Sequence, residues 1–224
     1  MKRLVLLISL VHLALSFPSS CSSAATTPNQ LLQVVRDING DIAKSNARYF
    51  LMSSVRGVDG FGGVRRGPTI NGAGNANFVC PFQVVQSPRD LDRGMPVIFK
   101  PKAGKQVEIT ESTDVNIEFY LDNPTAKCNN TVWEVEGFPG HYYPMFLSTN
   151  GKAGNPSELA TWFQIKKADS SSYKLVFCPF GGSLLCNDIG IQVVDEQRRL
   201  AASADHPFNF VFIKDPYIGI NSII

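Results

Sequence analysis

Beyond residue 25, four of the five cysteines, two of the three histidines and a scatter of carboxylates are the side chains that could do covalent, acid–base or metal chemistry. Cys80, Cys128, Cys178 and Cys186 contain no Cys-x-x-Cys spacing, and His141 and His206 lie far apart, so no metal site is expected. Gly181-Gly182-Ser183-Leu184-Leu185 approaches the sharp turn that exposes a nucleophilic serine, but its final glycine is missing. Two histidines beyond residue 25 leave little choice of general base. Asp114, Glu118 and Asp188 are scattered, and spacing alone does not pair them. No catalytic residue is assigned, and the chain is expected to be no enzyme and to carry no cofactor. Asn129-Asn130-Thr131 is an acceptor triplet that would place a glycan on Asn129.

The elements that must position these residues begin with a leader. Lys2 and Arg3 are followed by an apolar run over 4–17 and by the small residues Ser22, Ser23, Ala24 and Ala25. That three-part pattern predicts a secretory signal peptide over 1–25 and a single mature domain over 26–224. The run is shorter than the roughly 20 residues of a membrane span, and no later segment is longer, so no membrane partner is expected. Cys21 leaves with the leader, and the four remaining cysteines of an exported chain read as two disulfides, with three pairings open. Such a protein would be extracellular or vacuolar. The whole chain has 21 Lys+Arg and 19 Asp+Glu. Without Lys2 and Arg3 the mature charge is near zero, which argues against nucleic acid as a partner. With 44% hydrophobic and 18% charged residues, disorder is excluded.

Helical periodicity is scarce. About twelve short β-rich runs are predicted, at 48–53, 78–86, 95–100, 106–110, 115–120, 131–135, 143–149, 161–166, 173–178, 189–194, 199–202 and 208–214. Val115, Ile117 and Phe119 alternate with polar residues, as a half-buried strand requires. Short strands separated by turn signals predict an all-β barrel or sandwich. The glycine-rich stretch 57–74 reads as a surface loop, with Arg56, Arg65 and Arg66 solvated or forming a small basic patch. Gly72-Ala73-Gly74 lacks the third glycine and the helix of a phosphate loop.

Several segments together resemble the plant Kunitz (soybean trypsin inhibitor) family. They are Val35-Arg36-Asp37-Ile38-Asn39-Gly40-Asp41, Tyr49-Phe50-Leu51, Cys80-Pro81 with Val84-Val85-Gln86, and Val115-Asn116-Ile117-Glu118-Phe119. Trp162-Phe163-Gln164-Ile165, Tyr173 through Pro179, Asp188-Ile189-Gly190-Ile191 and Arg198-Arg199-Leu200-Ala201 continue the series. The match runs from Val34 to Lys214 and is nearest the miraculin-like branch. Ala43 departs from it, where a larger aliphatic is usual. The resemblance implies a β-trefoil of about twelve strands and the disulfides Cys80–Cys128 and Cys178–Cys186.

It also implies a monomeric protease inhibitor whose exposed loop, 100–107, binds a trypsin-like serine protease as a substrate does. Counting back from Val115 places the scissile residue at Lys105, followed by Gln106. Counting forward from Gly94 places it at Gly104, and Lys102 is a further candidate. The family supports this loop with an asparagine near the N-terminus. Ser45 occupies the aligned position here, and Asn46 stands next to it. Family relatives that modify taste, bind chlorophyll or serve as storage proteins make a non-inhibitory binding or storage role the alternative. The Gln-x-Trp triplets of lectin trefoils are absent.

Overall fold

In the computed structural model the described residues are 32–57, 61–70, 76–77, 80–123, 128–140, 143–180, 185–202 and 207–216. The expected leader, His141, His206 and residues 181–184 lie outside them. Among the described residues there are fourteen strands: β1 Tyr49–Ser53, β2 Val64–Gly67, β3 Thr69–Ile70, β4 Ala76–Asn77, β5 Gln83–Gln86, β6 Val97–Pro101 and β7 Asp114–Phe119. They continue with β8 Glu134–Val135, β9 Met145–Ser148, β10 Phe163–Lys167, β11 Tyr173–Phe177, β12 Asn187–Val194, β13 Gln197–Ala202 and β14 Phe210–Lys214. One 3-10 turn, Leu159–Thr161, is the only helical element among the described residues.

The pairings reveal a threefold plan. β1 pairs with β6 and β14, β6 with β7, β7 with β10, β10 with β11, and β11 with β14. Those six antiparallel contacts close a ring, which leaves the barrel without a free edge. The hairpins β2–β5, β8–β9 and β12–β13 cap one end, where β5, β9 and β13 each touch the other two. The chain therefore repeats one four-strand unit three times, and the fold is a β-trefoil.

Alternation drives the barrel faces. Val97, Phe99, Val115, Ile117 and Phe119 point inward from the β6–β7 pair and are buried. They meet a cluster of rings in which Phe212 lies 5.5 Å from Phe99 and 5.8 Å from Tyr49. Burying such side chains contributes about 1.5–3 kcal/mol each, so this cluster fixes the register of the strands that carry the surface loops.

Two expectations need correction. The segment 106–110 forms no continuous strand; Glu108 and Thr110 make single bridges to Lys44 and Val34. The stretch 57–74 is no plain surface loop, because β2 and β3 lie within it. Its glycines serve close packing: a Cβ at Gly63 would overlap the carbonyl oxygen of Arg93. Of the nearby arginines, Arg56 and Arg65 are exposed and Arg66 is half-buried. Arg65 pairs with Asp92 at 3.4 Å. Arg66 donates to the Cys128 carbonyl at 2.6 Å and stacks 4.2 Å from the Phe82 ring centre. Arg56 makes no side-chain hydrogen bond or ion pair among the described residues.

Disulfides join Cys80 to Cys128 and Cys178 to Cys186. The first closes a 48-residue separation; in the chain-entropy account such a link is worth about 4 kcal/mol. The second spans 8 residues and fixes local shape beside β11 and β12.

Candidate functional site

The segment between β6 and β7 is held on both sides before it reaches solvent. On the outgoing side the ladder runs from Val97↔Phe119 to Pro101↔Val115. One further bond follows, from the Lys102 amide to the Asp114 carbonyl at 2.9 Å. On the returning side the Ser45 amide donates to the Val107 carbonyl at 2.7 Å. The Ile109 amide then donates to the Ala43 carbonyl at 2.8 Å, and Ile109 is fully buried. Ala43, the small residue of the N-terminal turn, is fully buried against this arm.

Between these arms lies the tip. A turn is closed by the Gly104 amide donating to the Pro101 carbonyl at 3.0 Å. Gly104 sits at a φ of +67°, where a side chain would be strained. The Lys105 amide donates to the Ala103 carbonyl at 2.7 Å. Lys102, Ala103, Gly104 and Lys105 are all exposed, and Gln106 is half-buried.

The two lysines differ. Lys102 places its ammonium 3.0 Å from Asp114 Oδ2 and 5.1 Å from the Trp162 ring centre. Asp114 is itself oriented by Gln164, whose Nε2 donates to its Oδ1 at 3.0 Å. Lys102 is therefore committed to the scaffold. Lys105 makes no side-chain hydrogen bond or ion pair among the described residues, so its ammonium is available to an outside partner. Gln106 turns back, donating from Nε2 to Thr110 Oγ1 at 2.9 Å, and Thr113 Oγ1 donates to the Thr110 carbonyl at 2.9 Å. Sequence spacing gave no sign of this Gln106–Thr110–Thr113 brace or of the Lys102–Asp114 pair.

The N-terminal support is a matter of backbone. Asn46 is exposed, and its side chain makes no hydrogen bond to the loop. Ser45 provides the contact through its amide. The turn beneath it is fixed by Tyr49, whose hydroxyl accepts from the Lys44 amide at 2.9 Å. Burial pushes the Tyr49 phenol up from its ordinary value; the Lys44 bond opposes that shift. A buried phenol that remains neutral through the physiological range is a constant acceptor here.

Asn129 is exposed next to the Cys80–Cys128 bridge. Asn130 instead donates to Asn150 Oδ1 at 3.0 Å. The arrangement as a whole offers a protruding, backbone-anchored peptide with one uncommitted cation. Such a segment can occupy an extended-peptide cleft, and no described acid, base and nucleophile converge on it.

A family model described as "Trypsin and protease inhibitor" matches residues 35–214. The chain is 34% identical to miraculin of Synsepalum dulcificum over 202 residues, 88% of each chain. It is 32% identical to Kunitz trypsin inhibitor 5 of Arabidopsis thaliana over 209 residues, 91% of this chain and 97% of the other. Among solved structures it resembles the soybean trypsin inhibitor in its complex with porcine pancreatic trypsin. There the TM-score is 0.63 at 28% identity, over 81% of this chain and 99% of that one.

Proposed function

The chain belongs to the plant Kunitz family of trypsin and protease inhibitors, and from that membership we propose that it inhibits trypsin-like serine endopeptidases, with Lys105 as the residue that enters the protease. The observation that carries this reading is the contrast within the loop. Lys105 is exposed and uncommitted, while both arms around it are anchored in the backbone. Its ammonium fills a deep specificity pocket and pairs with the carboxylate there. The Lys105 carbonyl then faces the attacking serine.

Anchoring explains inhibition rather than turnover. The arms are ordered before binding, so the complex avoids the ordering cost of a free peptide. After cleavage of the Lys105–Gln106 bond, the Lys102–Asp114 and Ser45–Val107 bonds and the Gln106–Thr110 contact hold the new ends. The amine stays beside the acyl-enzyme and can re-form the bond. The test is a panel of serine, cysteine and aspartic proteases, with Lys105→Ala beside the wild type. Tight trypsin inhibition that disappears in Lys105→Ala supports the reading; no inhibition of any serine protease overturns it.

A second reading, a non-inhibitory binding or storage protein, is favoured by Gly104. It offers the protease no side chain next to the scissile residue, and the 34% identity to miraculin is compatible with a role outside inhibition. Silence across the whole panel selects this reading, and pigment copurifying with the protein would point to chlorophyll.

We further propose that residues 1–25 are a cleaved secretory leader, that the mature protein is a monomer delivered outside the cell or to the vacuole, and that Asn129 carries a glycan. Mass spectrometry of the native protein checks this: the mature chain starts near Thr26, carries two disulfides and no free thiol, and loses mass on deglycosylation at Asn129.

A further inference from the structure

Arg198, on β13, is a guanidinium without a counterion. Its neighbour Arg199 pairs with Glu136 at 3.2 Å. No carboxylate lies within ion-pair distance of Arg198 among the described residues. Its Nε donates to Gln86 Oε1 at 2.9 Å, and its plane stacks 3.4 Å from the Phe61 ring centre. Gln86 is buried and is oriented in turn by donating Nε2 to the Gly62 carbonyl at 3.2 Å. This chain of contacts fixes the guanidinium, and among the described residues its two terminal nitrogens have no hydrogen-bond partner.

Arg198 lines a cavity of about 320 Å³ between β1, β12, β13 and the segment before β14. Ser53 also lines it and is 7% exposed, and among the described residues its hydroxyl makes no hydrogen bond. The Asn209 side-chain oxygen on the same wall is buried and unpartnered. The remaining walls are apolar: Val55, Ile191, Val193 and Phe208. Val55 and Val193, at 57% and 56% exposure, form an apolar rim. Burial lowers the pKa of Arg198, since its guanidinium is partly withdrawn from water.

We propose that this cavity binds a small amphipathic carboxylate, with its head on Arg198 and Ser53 and its apolar body against Val55, Ile191, Val193 and Phe208. A planar carboxylate matches the free edge of the guanidinium, which presents two parallel N–H donors. The volume lies at the lower end of the range for small-molecule sites, and the mix of apolar walls with few polar groups is characteristic of them. The site shares no residue with the loop between β6 and β7, so it is a separate function and does not depend on protease binding.

The probe is 2-naphthoate, titrated into the intact mature protein by calorimetry, with the neutral 2-naphthamide as its isostere. The expected result is saturable one-to-one binding of the naphthoate, at least tenfold tighter than the amide. Arg198→Met should lose at least tenfold and Ser53→Ala about threefold, with trypsin inhibition unchanged in both. Amide resonances of Ile191, Val193 and Phe208 should shift on titration. If Arg198→Met melts early, Arg198→Lys serves instead, because it keeps the charge but loses the fork and should bind more weakly than wild type. Equal affinity for naphthoate and naphthamide, undiminished binding in both Arg198 variants, or no binding to the wild type would each overturn the proposal.

Discussion

The turn between β6 and β7 and the turn between β10 and β11 hold equivalent places in the threefold scaffold, but they use their polar groups in opposite ways. In the short turn, 168–172, the hydrogen bonds close on the turn itself. The Ala168 amide donates to the Ser172 carbonyl at 3.0 Å, and Asp169 Oδ1 accepts from the amides of Ser171 and Ser172 at 2.8 Å each. Hydrogen bonds from the Ser172 hydroxyl first, and then from the Ser171 and Ser172 amides, hold the Asp169 carboxyl down to about 2. The longer connection, 102–113, has its own Gln106–Thr110–Thr113 brace but is also secured from outside, by Ser45, Asp114 and Ile165 through Ser112. Its tip is left with an uncommitted lysine. A turn that satisfies itself has nothing to offer a partner; one braced by its neighbours can be rigid and still present a side chain.

That contrast is broken most decisively at Lys105. Lys105→Ala should weaken trypsin inhibition a hundredfold or more, about 3 kcal/mol by the usual size of an interface hot spot. Lys105→Arg should retain it, and Lys167→Ala beside the short turn should change nothing. Inhibition constants for the three variants check this.

The next test removes the brace. Ile109 is fully buried on the returning arm. Ile109→Ala should cost about 3 kcal/mol of stability in denaturant unfolding, and it should weaken inhibition even where the protein remains folded. A stability loss with inhibition untouched would show that the arm does not preorganise the tip.

Lys102→Ala should have a small effect, about 0.5 kcal/mol or a twofold to threefold change in inhibition. Its pair with Asp114 is partly exposed and screened. A loss as large as that of Lys105→Ala would move the contact residue to Lys102.

The smallest effect concerns acid. Asp169 titrates at about 2 in the folded protein, below its unfolded value of about 3.9. Its charged form therefore stabilises the short turn above about pH 4, and that contribution is lost as pH falls through about 2. An NMR titration should show the Asp169 carboxyl carbon and the Ser171 and Ser172 amides moving together at the low end. A midpoint near 4 would mean that the turn is not self-satisfied.

Much of the barrel was legible because hydrophobic alternation is a local signal. Val115, Ile117 and Phe119 announced β7, and the order of the short runs matched eleven of the strands closely enough to place the connection after β6. β2 was hidden because Val64-Arg65-Arg66-Gly67 lacks alternating apolar residues. Its glycine neighbours looked flexible, although Gly63 is where two backbones approach. The site was legible only in part for a related reason. The exposure of the tip follows from its composition, but the difference between Lys102 and Lys105 depends on Asp114 and Trp162, which are brought in by folding. Support by the Ser45 amide was equally invisible, since a backbone group has no residue type to betray it. Attention to side chains pointed to Asn46, whose amide group stands in solvent.

The most direct test of the account is to map the bond that trypsin cuts in this protein. Incubation with a catalytic amount of trypsin at mildly acidic pH, followed by mass spectrometry, should yield one new N-terminus, at Gln106, with intact and cut forms both inhibitory. Cleavage after Lys102, or scattered cleavage with loss of inhibition, would contradict it.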